Sequence, residues 1–185
     1  MSAILTPMQS NPTSAAQPPL PPSPFRLSPS VLLATGFGAG LVFPAPGTIG
    51  AAQGSLVALG ISYLPSLPWQ LAAIALLIAV GIPICTAAGH ALGGKKDNQA
   101  IIWDEIASMP LVFLFAPIRT ADHTSYLTLL AGFALHRLFD ITKPPPARQL
   151  EHLPEGLGVM ADDCMAALYA AVTLYLLIRL GLPIA

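Results

Sequence analysis

The 22 residues from Trp69 to His90, WQLAAIALLIAVGIPICTAAGH, contain no Asp, Glu, Lys or Arg. As a helix they reach about 33 Å, enough to cross a hydrocarbon core of about 30 Å. Trp69 stands where an interfacial aromatic belongs. A second stretch, residues 165–182 (MAALYAAVTLYLLIRLGL), carries Tyr169 and Tyr175, with Arg179 close enough to its end to snorkel. These two stretches exclude an ordinary soluble domain. Composition agrees, with 54% hydrophobic and 9% charged residues, against roughly a quarter charged in soluble proteins.

Three further apolar segments are shorter: Thr48–Leu64, Ile106–Pro117 and Ser125–Leu138. Ile106–Pro117 makes only about 18 Å of helix, so it spans only by extending backwards through Ile101, Ile102 and Trp103 or where the bilayer thins. Val31–Gly47, rich in glycine and carrying two prolines, suits a broken or re-entrant segment. The expected fold is an all-α membrane protein, a polytopic helical bundle of about four to five spans with that broken segment at its amino-terminal end. Residues 1–29, with eight prolines among Ser, Ala and Gln, are expected to be a disordered extension, leaving 30–185 as one integral membrane domain. The extension lacks the basic-then-apolar order of a signal peptide.

Lys95 and Lys96 share one loop, Arg137, Lys143 and Arg148 another, and Arg26 precedes the first apolar stretch. The positive-inside bias makes these regions cytoplasmic. Residues 64–68 and 118–124 then become outer turns, giving two hairpins and a last span. The net charge of −1 and the lack of a basic run exclude nucleic acid, and nothing calls for an obligate protein partner. Cys85 and Cys164 read as buried free thiols.

The few charges are not scattered. Asp104-Glu105, Asp140 and Asp162-Asp163 fall near span ends, and this topology brings all five carboxylates to one side of the membrane. Boundary carboxylates are costly unless they pair or bind a cation. Asp104, Glu105, Asp140, Asp162 and Asp163 suit one or two hard cations such as Mg²⁺. With Arg137 and Lys143 nearby, such a centre can neutralise a phosphate monoester. Arg137 and Asp140 are i and i+3 on one helix face, and Pro144-Pro145-Pro146 ends that helix at Lys143.

Structural roles compete with this. Asp162-Asp163 could cap the last helix, Asp104-Glu105 could favour a helix dipole, and Arg137 and Asp140 could form a plain ion pair. None of these explains the convergence of three clusters. His90, His123, His136 and His152 read as packed or interfacial residues, since no pair has ligand spacing. Gly36, Gly38 and Gly40 suit close helix packing. Pro46-Gly47-Thr48-Ile49-Gly50 reads as a Gly-Thr turn at a span end, able to offer N–H groups and a hydroxyl to an anion.

Four ordered motifs resemble the phosphatidylglycerophosphatase A family: Pro46-Gly47-Thr48-Ile49-Gly50, Ile102-Trp103-Asp104-Glu105, the run from Arg137 to Pro146, and Gly158-Val159-Met160-Ala161-Asp162-Asp163. The likeness covers about residues 31–180. Ala51 and Ala107 stand where the family commonly has Ser and Gly, and both stay small. The resemblance implies Mg²⁺-dependent dephosphorylation of phosphatidylglycerophosphate to phosphatidylglycerol at the cytoplasmic face of a bacterial inner membrane. It also implies that Asp104, Glu105, Arg137, Asp140, Lys143, Asp162 and Asp163 form the active site, with Gly47, Thr48, Gly50, Arg137 and Lys143 binding substrate.

The leading function is therefore a lipid phosphomonoesterase whose substrate enters sideways from the bilayer, by attack of water or of an Asp. A small polytopic transporter or channel is the alternative, since boundary carboxylates and a broken segment suit it too. It is disfavoured by the absence of an inverted repeat and by charges gathered at one face. A lipid phosphotransferase is disfavoured because the sequence lacks the Asp-Gly and Ala-Arg of such enzymes.

Overall fold

The computed structural model describes residues 28–94, 98–116, 118 and 123–181. The expected extension up to residue 27, with Arg26, lies outside the described residues, as do Lys95, Lys96 and residues 119–122 of the expected outer turn. The described residues are all helical and turn, with no strand.

Helix α1 (Pro29–Ala34) begins with Ser28, whose hydroxyl accepts the Val31 N–H, and with Pro29 in the first turn, where a missing N–H costs nothing. It ends where Gly36, Phe37 and Gly38 all take positive φ, so the chain turns before α2 (Ala39–Val42). The broken segment expected from Val31–Gly47 is thus a pair of short helices. Gly40 is a packing glycine, lying directly under the Ala100 carbonyl, whereas a side chain at Gly38 would meet open space. Close packing is therefore not the role of Gly38. Its φ of 92° is the reason a glycine stands there.

Four longer helices follow: α3 (Pro46–Ser62), α4 (Leu67–Ala91), α6 (His123–Thr142) and α8 (Glu155–Arg179). By length and apolar character, α4 and α8 are each fit to cross a membrane. Helix α4 contains the whole predicted Trp69–His90 span. Helix α8 begins ten residues before the predicted Met165, so Asp162 and Asp163 lie inside it, in its third turn. They do not cap it. Proline also changes the reading of residues 46–50: Pro46 opens α3, and Gly47-Thr48-Ile49-Gly50 is its first turn and a half of helix, not a loop turn.

Between these helices lies α5 (Trp103–Ser108), continued by a 3₁₀ turn at Met109–Phe113. The apolar segment beginning at Ile106 is therefore not a spanning helix. Ile101 and Ile102 do not extend it backwards, because the Ile102 N–H bonds the Ala34 carbonyl at 2.8 Å. The segment is instead a buried wedge: every residue from Asp104 to Pro110 is buried. Glycines on α3 admit it, since a Cβ at Gly54 would meet Met109 Cβ at 2.6 Å and the Glu105 carbonyl at 2.7 Å.

The long helices alternate in direction. Gly47 at the start of α3 lies against Arg137 near the end of α6, and Gly156 at the start of α8 donates to Thr86 Oγ1 near the end of α4 (3.0 Å). At the opposite end Ser62 donates to the Ile118 carbonyl, and Phe115 meets Tyr175 edge-on. Small residues fill the interior, among them Ala58, Ala88, Ala166, Ala167, Ala170 and Ala171. Large apolar ones such as Leu56, Trp69, Leu76, Leu130 and Val172 point outward. Membrane helices pack this way, because small side chains let backbones approach and lipid accepts the large ones.

Candidate active site

Three elements deliver the acidic residues to one end of the bundle. The wedge α5 carries Asp104 and Glu105 in its first turn, where acidic side chains favour the helix dipole. Helix α8 brings Asp162 and Asp163, and α6 brings Arg137 and Asp140. Pro144 follows Lys143, which adopts φ 42° just beyond the end of α6. From there the chain enters α7 (Ala147–Leu150), a one-turn strap leading to α8.

The five carboxylates separate into two sets. Asp104, Glu105 and Asp163 each place an oxygen so that all three lie within 4.8 Å of one another. Asp140 and Asp162 are instead held by cations. Arg137 Nη1 donates to Asp140 Oδ2 at 2.6 Å and lies 3.6 Å from Glu105 Oε1. Lys143 Nζ donates to Asp162 Oδ2 at 2.7 Å and lies 3.2 Å from Glu151 Oε2. Burial alone would lower the Lys143 pKa, but the hydrogen bonds and charges of Asp162 and Glu151 outweigh it and hold the ammonium above its ordinary value.

Buried oxygens without a protein partner mark what the inner set lacks. Asp104 Oδ1, Glu105 Oε2, Asp162 Oδ1 and Asp163 Oδ2 have no hydrogen-bond donor among the described residues. Unsatisfied buried carboxylate oxygens at such density are costly, and a hard cation satisfies several at once. The inner triad can therefore hold a metal ion.

The remaining predicted residues frame this centre. A Cβ at Gly47 would meet Glu105 Oε1 at 2.5 Å and Arg137 Nη1 at 2.8 Å, so the first turn of α3 lies directly over the acidic residues. Thr48 beside it is exposed. Gly50 faces the wedge, where a Cβ would crowd Ile102 Cβ at 2.9 Å and Glu105 Cβ at 3.1 Å. Its place is behind the acidic residues, as packing that seats Glu105.

A cleft of about 530 Å³ opens over the centre, lined by Asp104, Glu105, Asp140, Lys143, Asp162 and Asp163. Arg148, Glu151 and His152, which sequence reasoning did not assign to a site, also line it. The signal was there: a charged run at i, i+3 and i+4, directly after the three prolines and before the Asp-Asp motif. Among the other histidines, His136 is buried and bonds Ser108 Oγ at 3.1 Å. His90 is exposed and pairs with Glu155 at 3.2 Å, so it is not a packed residue. Cys85 is buried and Cys164 half-buried, and neither is disulfide-bonded.

A sequence profile described as Phosphatidylglycerophosphatase A matches residues 32–178. The chain is 37% identical over 150 residues to Phosphatidylglycerophosphatase A of Haemophilus influenzae, covering 80% of this chain and 88% of that protein. It is 36% identical over 152 residues to the Escherichia coli protein of the same name, covering 80% and 83%. A Bacteroides thetaiotaomicron protein called Putative phosphatidylinositol-3-phosphatase is 34% identical over 146 residues, covering 77% and 89%. No solved structure matches the chain. With a matching profile across most of its length and relatives of this identity, the chain belongs to the phosphatidylglycerophosphatase A family and is a phosphatase.

Proposed function

We propose that the protein hydrolyses the phosphomonoester of phosphatidylglycerophosphate to phosphatidylglycerol and phosphate, with Mg²⁺ as the ion of the Asp104-Glu105-Asp163 centre. The observation that carries this reading is the triad of buried carboxylates with unpaired oxygens, at the floor of a cleft that also holds Lys143. In the reaction a P–O bond to the glycerol oxygen breaks, a P–O bond to water oxygen forms, and a proton passes to the departing alkoxide. A divalent ion bound there supplies charge neutralisation for the phosphoryl oxygens and acidifies water. Arg137 keeps donors beyond the one given to Asp140, and its planar fork suits two phosphate oxygens. Lys143, fixed by Asp162 and Glu151, adds a positive point charge.

Membrane placement follows the same reading. Helices α3 and α6 join α4 and α8 as spans, giving a multi-pass protein of the bacterial inner membrane whose cleft faces the cytoplasm. The relative named for phosphatidylinositol 3-phosphate makes that lipid the competing substrate. Its phosphate is also a monoester on a lipid headgroup. Phosphate release by purified protein in detergent tests the reading: the expected result is Mg²⁺-dependent release from phosphatidylglycerophosphate, abolished by chelation. Faster release from phosphatidylinositol 3-phosphate would replace the substrate, and no release from either would overturn both lipid readings.

A further inference from the structure

The cleft is larger than a phosphate group needs, and one of its cations is uncommitted. Six carboxylates line it: Asp104, Glu105, Asp140, Glu151, Asp162 and Asp163. Lys143, a lining residue, is paired twice over, and neighbouring Arg137 is engaged by Asp140 and Glu105. Arg148 also lines the cleft, is exposed, and has no ion pair with any described residue. It stands on the strap α7, fixed in sequence between the turn that places Lys143 and the helix that carries the Asp pair.

His152 lies one turn beyond, and its Nδ1 is 2.9 Å from the Arg148 carbonyl oxygen. A carbonyl can only accept, so Nδ1 carries the proton, and in the neutral ring Nε2 is left as an acceptor. This stretch of the cleft wall thus offers a planar cationic fork and, one turn on, an acceptor. A phosphodiester matches the first and an alcohol hydroxyl the second.

We propose that Arg148 and His152 form a second subsite of the cleft, which takes the phosphodiester and hydroxyl-bearing part of a lipid headgroup while the reacting monoester lies over the acidic centre. This rests on the lipid-monoester reading given above and adds to it a reason for selectivity. A lipid whose monoester is attached straight to diacylglycerol has neither group to offer this wall. The protein would therefore discriminate by a group that takes no part in the chemistry.

The test compares kcat/KM for two lipids of equal acyl chains, phosphatidylglycerophosphate and phosphatidate, in wild type, Arg148→Gln, Arg148→Lys and His152→Ala. A charge-assisted phosphate contact is worth about one to two orders of magnitude. The expected result is that Arg148→Gln lowers the preference for the diester-bearing lipid at least tenfold, chiefly through KM. Arg148→Lys should fall between that variant and wild type, and His152→Ala should lower the preference by a smaller factor. Equal losses on both lipids, or an unchanged preference, would overturn the subsite while leaving the phosphatase reading intact. Release from neither lipid by the wild type would overturn the reading on which the subsite rests.

Discussion

Gly47 on α3 and Glu105 on the wedge approach so closely that a methyl group on Gly47 would meet Glu105 Oε1 at 2.5 Å. The atoms in the way belong to the ends of two flexible side chains, Glu105 and Arg137, which can move without unfolding the bundle. Gly47→Ala should therefore insert and fold normally yet lose at least tenfold in kcat/KM, as the carboxylate and guanidinium are pushed out of register. Detergent-solubilised yield and melting temperature, measured beside activity, check this. A large fall in melting temperature would mean that the glycine serves packing instead.

The two sets of carboxylates should respond differently to amide replacement. Asp104→Asn and Asp163→Asn each take a negative charge from the inner triad, and both should reduce turnover by two orders of magnitude or more and raise the Mg²⁺ concentration needed for half-maximal activity. Asp162→Asn removes the nearer of the two partners of Lys143 and should lower turnover with a smaller change in Mg²⁺ requirement. Titrations of activity against Mg²⁺ separate the cases. Equal Mg²⁺ dependence in all three variants would place the ion elsewhere.

The Arg137–Asp140 contact of 2.6 Å raises the question of whether Arg137 serves the substrate or only its neighbour. Arg137→Lys keeps the charge but loses the fork, and should reduce kcat/KM by about one to two orders of magnitude. Asp140→Asn should not rescue it. A double variant, Arg137→Gln with Asp140→Asn, that regained what either single change lost would reduce the pair to a structural ion pair.

The alternation of helix directions predicts that the strap and the end of α3 lie on opposite sides of the membrane. In a background with Cys85 and Cys164 replaced by Ala, Gln149→Cys should react with an impermeant thiol reagent only from the cytoplasm and Tyr63→Cys only from outside. Both residues are exposed. Labelling from one side would refute the multi-pass arrangement.

Much of the site was legible because charge is so scarce in this chain. With 9% charged residues, each carboxylate near an apolar stretch had to be explained, and the helix-ending prolines located Lys143 correctly. The wedge was not legible as such. Residues 106–117 have the composition of a short span, and only the glycines of α3, whose missing side chains admit α5, turn that stretch inward. The Arg137–Asp140 pair could be read from its i, i+3 spacing, but the inner triad and the pairing of Lys143 with Asp162 were beyond sequence, because they depend on side-chain distances between segments some 20 to 60 residues apart. Arg148 and His152 escaped notice for a different reason. Their charges served the topology argument or looked like ordinary interfacial residues, and only the cleft puts them in one lining with Asp163.

Asp163 completes the inner triad from the last helix of the chain. During synthesis Asp104 and Glu105 emerge some sixty residues earlier, and until α8 has been made the third member of their triad is missing. The order of translation thus delays completion of the acidic triad until α8 has been made. A chain halted before α8 would hold Asp104 and Glu105 in the wedge with Arg137 as the neighbouring charge, but without Asp163.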